Sequence, residues 1–416
     1  MSGSDVALWR GDPAVASTEE FLRGRRDELI EFAADLIATP SPNPPGDERK
    51  VAELVATRLR GFGATDVTIA EAGPGRHNVL ATFEGSRATP VLLLNGHLDT
   101  KPPGDLSAWA TPPYEPVIRD GMLVGLGAAD MKGAVAAITF AAGAVAAAGV
   151  QGTLRVVFTA DEEAGGNYGS KWLADQGMLA ADACVIAEPT GVREEWEAIR
   201  LVSRGVAIFR VSVEGTQMHS SLSNEFESVN ANLVMAKLML RMAEAAPTML
   251  RYRHHALSAN GPTFNVGLVV DGGVGYGVYP GHAEFLCDVR ALPGMTAEEI
   301  EEDVRSFIAA AEAEDPQLHT EFELLNWTPA SEIESDHAVV RALQDAAFAV
   351  LGASPPLAIF PGGTDAPYFS GAGIPTVPAF GPGLLPYAHA PNEAIQTESI
   401  VNAARIYAIA AARFLR

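Results

Sequence analysis

The sequence predicts an α/β protein in which a mixed, mainly parallel sheet flanked by helices is interrupted by an inserted ferredoxin-like α+β domain. Strands and helices alternate through most of the chain, but in one central stretch the order becomes β-α-β-β-α-β. The length agrees, because 416 residues are enough for two or three domains of roughly 150 residues each. We therefore expect one discontinuous domain at residues 1–202 and 327–416, and an insert at residues 203–326.

The first domain begins with helices. Ser17-x-x-Glu20 is the pattern of a capping box, and helical spacing of apolar residues follows to Thr39. A second amphipathic helix is expected to end near Gly61. The later elements are expected as strands at 66–70, 78–83, 91–95, 154–159, 183–187, 358–360 and 375–379, and as helices at 170–175, 335–351 and from 399 onward.

One segment of this domain, residues 133–150, is almost entirely apolar or small. Its length is near the lower limit for a membrane helix. Because it consists mostly of Ala and Gly and no other segment resembles it, we expect a helix buried against a sheet instead.

The insert is expected to contain a complete split β-α-β-β-α-β motif in about 120 residues. Its predicted elements are a strand at 206–213, a helix at 228–245, strands at 263–270 and 283–290, a helix at 296–313 and a strand at 319–325.

Composition narrows the possible functions. The net charge of −23 repels a phosphate backbone, so we expect no nucleic-acid partner. Two cysteines, Cys184 and Cys287, cannot form a disulfide framework. The first twenty residues show no apolar signal region, so we expect a cytoplasmic protein that does not enter a membrane.

Side chains capable of chemistry stand at five places, nearly all where a predicted strand ends, which is where ligands bind in α/β sheets. These are His97 and Asp99 in Gly96-His97-Leu98-Asp99, Asp130 before the long apolar helix, Glu162 and Glu163 after Asp161, Glu188 before Pro189, and His389 in His389-Ala390-Pro391-Asn392-Glu393. Each place alone has a simpler interpretation, such as a helix N-cap for Asp130 or a solvated loop for the three consecutive acids.

Taken together, the five places supply imidazole and carboxylate donors without a thiolate. This set suits zinc, cobalt or manganese in a hydrolytic site. A carboxylate shared by two cations, with one His and one further carboxylate for each cation, would use five ligands. A sixth acid would remain as a base.

In this order, the five motifs resemble the zinc amidohydrolase and peptidase family that includes acetylornithine deacetylase, succinyl-diaminopimelate desuccinylase, aminoacylase and glutamate carboxypeptidase. The resemblance extends over roughly residues 21–415. It implies two divalent metal ions, with zinc expected and cobalt or manganese as alternatives. The implied roles are metal binding by His97 and Glu188 at one ion and by Glu163 and His389 at the other, a bridge by Asp130, general base catalysis by Glu162, and orientation of His97 by Asp99. It also implies a cis peptide bond after Asp130.

The same resemblance assigns roles in the insert. His219 would reach the reaction centre of a partner subunit, and Asn265 and Arg290 would hold a substrate carboxylate. Gly363 and Thr364 match a loop beside the substrate. The insert is therefore expected to be a lid and dimerisation domain of a homodimer. The simpler interpretations are a turn histidine for His219 and a surface ion pair for Arg290.

At three positions this chain has a different residue from the one common in the family. Leu126 and Ala129 replace an arginine and a serine that are common before the bridging Asp, although neither position is a ligand. Lys101 stands where relatives often have an apolar residue, and we expect it to be solvated, with a substrate contact as the alternative.

The expected activity is metal-dependent hydrolysis of the amide bond of a small N-acyl amino acid, as in a deacylase. A dipeptidase, carboxypeptidase or aminopeptidase of the same family is the alternative, with a dipeptide as substrate. A non-catalytic zinc-stabilised dimer is a remote alternative, disfavoured because no structural role requires Glu162. The glycine-rich residues 273–277 lie between strands and lack the full dinucleotide-binding pattern.

Overall fold

A computed structural model describes residues 13–149, 151–251 and 254–416. The chain forms two compact units. The large unit contains the described residues up to Ser203 together with Glu332–Phe360 and Thr364–Arg416, and the inserted unit contains Arg204–Ser331 and Pro361–Gly363.

The inserted unit extends five residues beyond its expected end at residue 326. The reason is the length of its last strand, which runs to Thr328 and stays paired with the first strand of the unit through Val206 and Ala207. Residues 361–363, which come later in the chain, also belong to the inserted unit.

The large unit consists of helices and mostly short strands. Its helices are α1 (Pro13–Arg23), α2 (Arg26–Ile37), α3 (Arg49–Gly61), α4 (Gly133–Ala148), α5 (Ser170–Asp175), α8 (Ala338–Leu351), α9 (Ala366–Gly371) and α10 (Thr397–Phe414). Its strands are β1 (Asp66–Gly73), β2 (Arg76–Phe83), β3 (Val91–His97), β4 (Val117–Arg119), β5 (Met122–Val124), β6 (Thr153–Thr159), β7 (Ala183–Ile186), β8 (Pro189–Gly191), β9 (Ile199–Ser203), β17 (Leu357–Ile359), β18 (Thr376–Val377), β19 (Gly381–Leu384) and β20 (Ala394–Gln396), and β16 (Ser331–Glu332) lies at the boundary between the units.

The main sheet has the strand order β1-β2-β6-β3-β7-β18. Strands β6, β3, β7 and β18 are parallel, whereas β1 and β2 form an antiparallel edge. The predicted mixed, mainly parallel sheet is therefore confirmed. Because β3, β6 and β7 run in the same direction, their carboxyl ends meet at one edge of the sheet.

Helix α4 is the centre of the core, as the sequence predicts. Thirteen of its sixteen residues, Gly133 to Val145, are buried, and it packs against α1, α2, α10 and the sheet strands β3 and β6. Ala128–Ala148 is long and apolar enough to cross a membrane by length and composition, but most of it is buried inside the fold. Gly143 allows the close packing, because a Cβ there would lie 2.8 Å from the ring of Phe62. Overpacking of this kind costs about 1–3 kcal/mol.

The prediction of one continuous first helix is wrong. Two helices, α1 and α2, occupy the segment, with a break at Gly24 and Arg25. Ser17 lies inside α1 and caps no helix. Glycine disfavours helix interiors because it loses the most backbone freedom on folding, which accounts for a break at this point.

The inserted unit contains β10 (Gly205–Glu214), β11 (Met218–His219), α6 (Ala231–Met249), β12 (Thr263–Gly272), β13 (Val278–Tyr279), β14 (His282–Ala291), α7 (Ala297–Glu314) and β15 (Thr320–Thr328). Its four-stranded antiparallel sheet has the order β12-β14-β10-β15. Alternate residues of β10 and β14 are buried, which is the period-2 pattern of a sheet with one covered face; α6 packs against both strands, and α7 packs against β15. The predicted ferredoxin-like motif is confirmed.

Candidate metal centre

The carboxyl edge of the main sheet carries most of the predicted site residues. His97 ends β3, Glu162 and Glu163 follow β6, and Glu188 follows β7. Since these strands are parallel neighbours, the sheet brings their following residues together. Asp130 and His389 come from loops, the first just before α4 and the second between β19 and β20.

Asp130 lies between the two histidines. Its Oδ1 is 2.9 Å from His97 Nε2, and its Oδ2 is 3.3 Å from His389 Nε2. Each histidine also faces a second carboxylate, with Glu188 Oε1 at 3.7 Å from His97 Nε2 and Glu163 Oε2 at 3.0 Å from His389 Nε2. One His and one Glu thus lie on either side of a shared Asp.

The backbone around Asp130 does not fit the simpler interpretation of this residue as the N-cap of α4. Asp130 lies within a π-helical turn, Ala128–Lys132, that precedes α4, and its own backbone is not helical. The peptide bond between Asp130 and Met131 is cis, as the family resemblance implies.

The proton on His97 is assigned by its neighbour. His97 Nδ1 is 2.9 Å from the main-chain carbonyl oxygen of Asp99. Because a carbonyl oxygen only accepts hydrogen bonds, Nδ1 carries a proton in either charge state of the ring. Nε2, which donates to Asp130 when the ring is doubly protonated, is the nitrogen that would bind a cation after losing its proton. Asp99 therefore contacts His97 through its backbone, while the carboxylate oxygen is more distant at 3.6 Å.

The carboxylate of Asp99 has another role. It accepts hydrogen bonds from the backbone N–H groups of Glu162 and Glu163, each at 3.2 Å. Asp99 is fully buried, and it joins the end of β3 to the turn that carries the two glutamates.

The residues that hold Asp99 were not predicted from the sequence. The side-chain amide of Asn43 donates to Asp99 Oδ2 at 2.9 Å and to Asp161 Oδ1 at 3.0 Å. Its carbonyl oxygen accepts from Arg76 Nη2 at 2.8 Å, and Arg76 Nη1 also donates to Glu48 at 2.7 Å. Asn43 lies in a proline-rich turn, where nothing in the pattern indicates a buried polar connection.

The electrostatics of the cluster fit a cation site. Burial would raise the pKa of Asp130, but hydrogen bonds from His389 and His97 outweigh it and hold this pKa well below its usual range. Burial raises the pKa of Glu188 well above its usual value, and the charge of Asp130 adds to the rise. Hydrogen bonds to Asp130 and Glu163 raise the pKa of His389 to about 10. Buried acids crowded in this way need positive charge beside them.

One buried atom tests more directly whether these side chains suit a cation. Glu188 Oε1 is buried and has no hydrogen-bond partner among the described residues. His97, Asp130 and Glu163 offer donor atoms within 4.8 Å of one another, and so do His97, Glu162 and Glu188. Imidazole nitrogen and carboxylate oxygen are the donors that zinc, cobalt and manganese accept. The donor set therefore suits two divalent cations that share Asp130.

Lys101 differs from its expected solvated state. Its Nζ donates to the main-chain oxygen of Glu163 and lies 3.4 Å from Glu163 Oε2. Lys101 therefore adds positive charge at the edge of the cluster.

Comparison with known proteins identifies the family. Residues 93–413 match the family described as Peptidase family M20/M25/M40. The chain belongs to this family. The resemblance stated from the motifs is thereby confirmed.

Individual M20 relatives agree with this assignment. A succinyl-diaminopimelate desuccinylase from Xanthomonas euvesicatoria pv. vesicatoria (strain 85-10) is 38% identical over 197 residues, which cover 46% of this chain and 51% of the relative. The chain spans about half the length of the curated relatives it matches.

Solved structures of M20 proteins share the fold. The M20 family metallo-carboxypeptidase Sso-CP2 from Sulfolobus solfataricus has a TM-score of 0.77 at 19% identity, covering 93% of this chain and 99% of that one. The YXEP protein of Bacillus subtilis, described as a dinuclear metal binding peptidase from the M20 family, has a TM-score of 0.68 at 17% identity, covering 94% and 99%.

Three of the remaining predicted site residues, Asn265, Arg290 and His219, lie in the inserted unit, to which Gly363 also belongs. Arg290 donates to Asp288 Oδ2 from Nε at 3.0 Å and from Nη2 at 2.9 Å, and Asn265 Nδ2 donates to Asp288 Oδ1 at 2.6 Å. Asp288, which sequence analysis missed, therefore holds both residues side by side. The exposed His219 accepts a hydrogen bond from the backbone of Ser221 and pairs with its hydroxyl at 2.8 Å, the geometry of a turn histidine.

The loop of residues 362–365 is divided between the two units. Gly363 belongs to the inserted unit and packs beside Arg204 and Val206. Thr364 is buried in the large unit, where its hydroxyl donates to Ser203 and accepts from the backbone of Ala366.

Proposed function

We propose that this M20 protein hydrolyses the amide bond of an N-acyl amino acid in a metal-dependent reaction. The observation that carries the proposal is the position of Asp130, whose two oxygens face two different histidines, each backed by a further glutamate. A fourth carboxylate, Glu162, lies beside this set of five side chains. A site built only to stabilise the fold would not need it.

Zinc is the proposed metal, with cobalt or manganese as alternatives. His97 and Glu188 would hold one ion, Glu163 and His389 the other, and Asp130 both. Divalent cations at such a site act as Lewis acids and lower the pKa of water from 15.7 toward about 7. The relative described as a dinuclear metal binding peptidase supports two ions.

Glu162 is the proposed general base. Burial, and next the charge of Glu188, raise its pKa well above the usual value for a glutamate, which brings a carboxylate toward the range where it can both accept and return a proton. In the proposed reaction, Glu162 takes a proton from the attacking water and then gives it to the departing amine. The hydrogen bond that the backbone N–H of Glu162 donates to Asp99 fixes the start of this side chain.

The substrate class rests on the inserted unit. Arg290 is held by Asp288 but its side chain is 36% exposed, and a guanidinium can grip a carboxylate through two parallel hydrogen bonds. With Asn265 beside it, Arg290 is proposed to bind the free carboxylate of the amino acid. The matched curated relatives are named desuccinylases, which supports an N-acyl amino acid as substrate.

The alternative is a peptidase acting on a small peptide, which the carboxypeptidase among the solved structures supports. The test is a panel of N-acyl amino acids, dipeptides and their carboxyl-amidated forms, given to zinc-loaded protein. Preference for N-acyl amino acids supports the deacylase. Equal cleavage of amidated and free forms would contradict it and favour an aminopeptidase.

A homodimer and a cytoplasmic location are also proposed. β12 is an edge strand that exposes Leu268, Val269 and Val270, and the neighbouring helix α6 exposes Leu233 and Leu240, each more than half. An exposed apolar edge strand is suited to pairing with a second copy across a two-fold axis. In such a dimer the partner subunit's His219 would complete the reaction centre.

Sedimentation of the wild type and Val269→Lys tests the dimer. Lysine on the edge strand should shift the protein to monomer and lower activity. Leu106→Lys, at an equally exposed apolar residue of the large unit, is the matched control and should leave the dimer intact. A fully active wild-type monomer at micromolar concentration would contradict the proposal.

A further inference from the structure

Glu393 is a buried carboxylate, four residues after His389, that the proposed reaction does not use. It is 1% exposed. Its Oε2 accepts a hydrogen bond from the backbone N–H of Gly127 at 2.9 Å, and its Oε1 accepts from Ala129 at 2.8 Å and from Asp130 at 2.9 Å. All three donors belong to the turn that carries the bridging residue.

The backbone continues this connection. The N–H group of Gly125 donates to the main-chain oxygen of Glu393 at 2.9 Å. Directly after Glu393, strand β20 pairs with β5, the strand that leads into the same turn. Backbone and side chain together therefore join the loop of His389 to the turn of Asp130.

This connection has a geometric consequence for the cluster. Asp130 must point one oxygen at His97 and the other at His389, and its backbone is irregular at that point. Backbone N–H groups in such a turn lack the regular partners of a helix or a strand. A carboxylate that accepts three of them leaves the turn little freedom to rotate.

We propose that Glu393 is a positioning residue for the metal centre: it fixes the orientation of Asp130 and sets the distance between Asp130 and His389. The proposal rests on the metal-dependent function proposed above. Groups that orient metal ligands typically contribute roughly 10- to 100-fold to metal affinity or activity.

Two variants separate this role from a general loss of structure. Glu393→Ala removes both acceptor oxygens and so all three hydrogen bonds. Glu393→Gln preserves the volume and one acceptor oxygen, but it turns an NH2 group toward a backbone N–H group that needs an acceptor. The matched control is Glu195→Gln, because Glu195 also accepts a backbone N–H, from Gly383 at 3.0 Å, and a hydroxyl hydrogen bond from Ser399 at 2.7 Å.

The primary measurements are metal content after dialysis against a weak chelator and the visible absorption spectrum of the cobalt-loaded protein, which reports ligand geometry. We expect the wild type and Glu195→Gln to retain two ions with the same spectrum. Glu393→Gln should lose metal at roughly 10-fold lower chelator concentration and show an altered spectrum. Its kcat should fall more than its KM changes, since substrate contacts are intact.

The outcomes distinguish the two proposals. If the wild type binds two ions and Glu393→Gln binds them equally well with an unchanged spectrum, the positioning role is wrong and the metal-dependent function stands. If the wild type retains no divalent metal and hydrolyses none of the panel, the proposed function fails. If Glu393→Ala does not fold, Glu393→Gln decides alone.

Discussion

The side-chain amide of Asn43 donates a hydrogen bond to the carboxylate of Asp99 across 2.9 Å. Asn43 is 2% exposed, and it uses its second amide proton for Asp161 and its oxygen for Arg76. Both amide protons and one of the two acceptor positions of its oxygen are thereby used. A neutral amide suits this place because it separates two carboxylates that would otherwise repel each other.

Asn43→Ala should lower kcat by roughly 10- to 100-fold, the usual effect of removing a group that orients a metal site. Asp99 would lose the donor that holds it, and the backbone of Glu162 would lose its anchor. The measurement is kcat and KM for the best substrate. Asn402→Ala is the control, since Asn402 lies on α10 and accepts a hydrogen bond from Arg405 Nη1 at 3.5 Å. Asn43→Asp should be worse than alanine, because it adds a carboxylate beside Asp99 and Asp161; equal activity of all three variants would contradict the role of Asn43.

Glu162→Gln should keep metal affinity but lose about 10² to 10⁴ in kcat, the usual contribution of a general base. Glutamine has a similar shape but cannot take a proton from water. Metal content and single-substrate kinetics are measured on the same preparation. Glu163→Gln is the contrasting variant, because Glu163 faces His389 and should lose metal. Near-normal turnover by Glu162→Gln would assign the base elsewhere.

These residues show how far the sequence predicted the site. His97, Asp99, Glu162 and Glu188 could be found because they end long apolar runs, and parallel strands place such ends together. Asn43 could not be found, because its role depends on contacts with β2 and with the ends of β3 and β6, which lie far from it in sequence. Glu393 belongs to the motif that begins at His389, but its hydrogen bonds to the turn of Asp130 depend on the pairing of β5 with β20, which the sequence did not predict.

Short elements account for most of what the sequence missed in the fold. Strands β4, β5, β8 and β20 have three residues each, too few to show a period of two. Longer elements were predicted well: helix α4 and strand β10 end, and helix α10 begins, within a few residues of their expected limits.

Arg290→Ala should raise KM steeply for substrates with a free carboxylate and leave carboxyl-amidated substrates almost unaffected. The physical reason is the loss of a charge-assisted pair of hydrogen bonds to the carboxylate. Asp288→Asn should act in the same direction but more weakly, because it loosens Arg290 and Asn265 without removing either. The measurement is KM for each acid and its amide. Equal KM changes for both substrate forms would remove Arg290 from the carboxylate site.

The stability of the large unit should depend on pH through Glu48. Burial, and next the charge of Asp99, raise the pKa of Glu48 from 4.5 to about 7, and its Oε2 is buried without a hydrogen-bond partner among the described residues. A carboxyl group whose pKa is raised in the folded state contributes stability below its unfolded pKa and loses that contribution as the pH rises through the folded pKa. With 1.36 kcal/mol per pKa unit, this loss is about 3 kcal/mol between pH 4 and pH 8.

Glu48→Gln should remove this contribution, because a glutamine does not titrate. Urea unfolding at pH 5, 6, 7 and 8 measures it: the difference in unfolding free energy between wild type and variant should shift in favour of the variant as the pH rises. Glutamine also weakens the bond to Arg76, so the variant can be less stable at every pH, and the slope rather than the offset is the test. Glu53→Gln, at an exposed position of the same helix α3, is the control. Parallel stability curves for wild type and Glu48→Gln would show that Glu48 ionises in the folded protein as easily as in the unfolded chain.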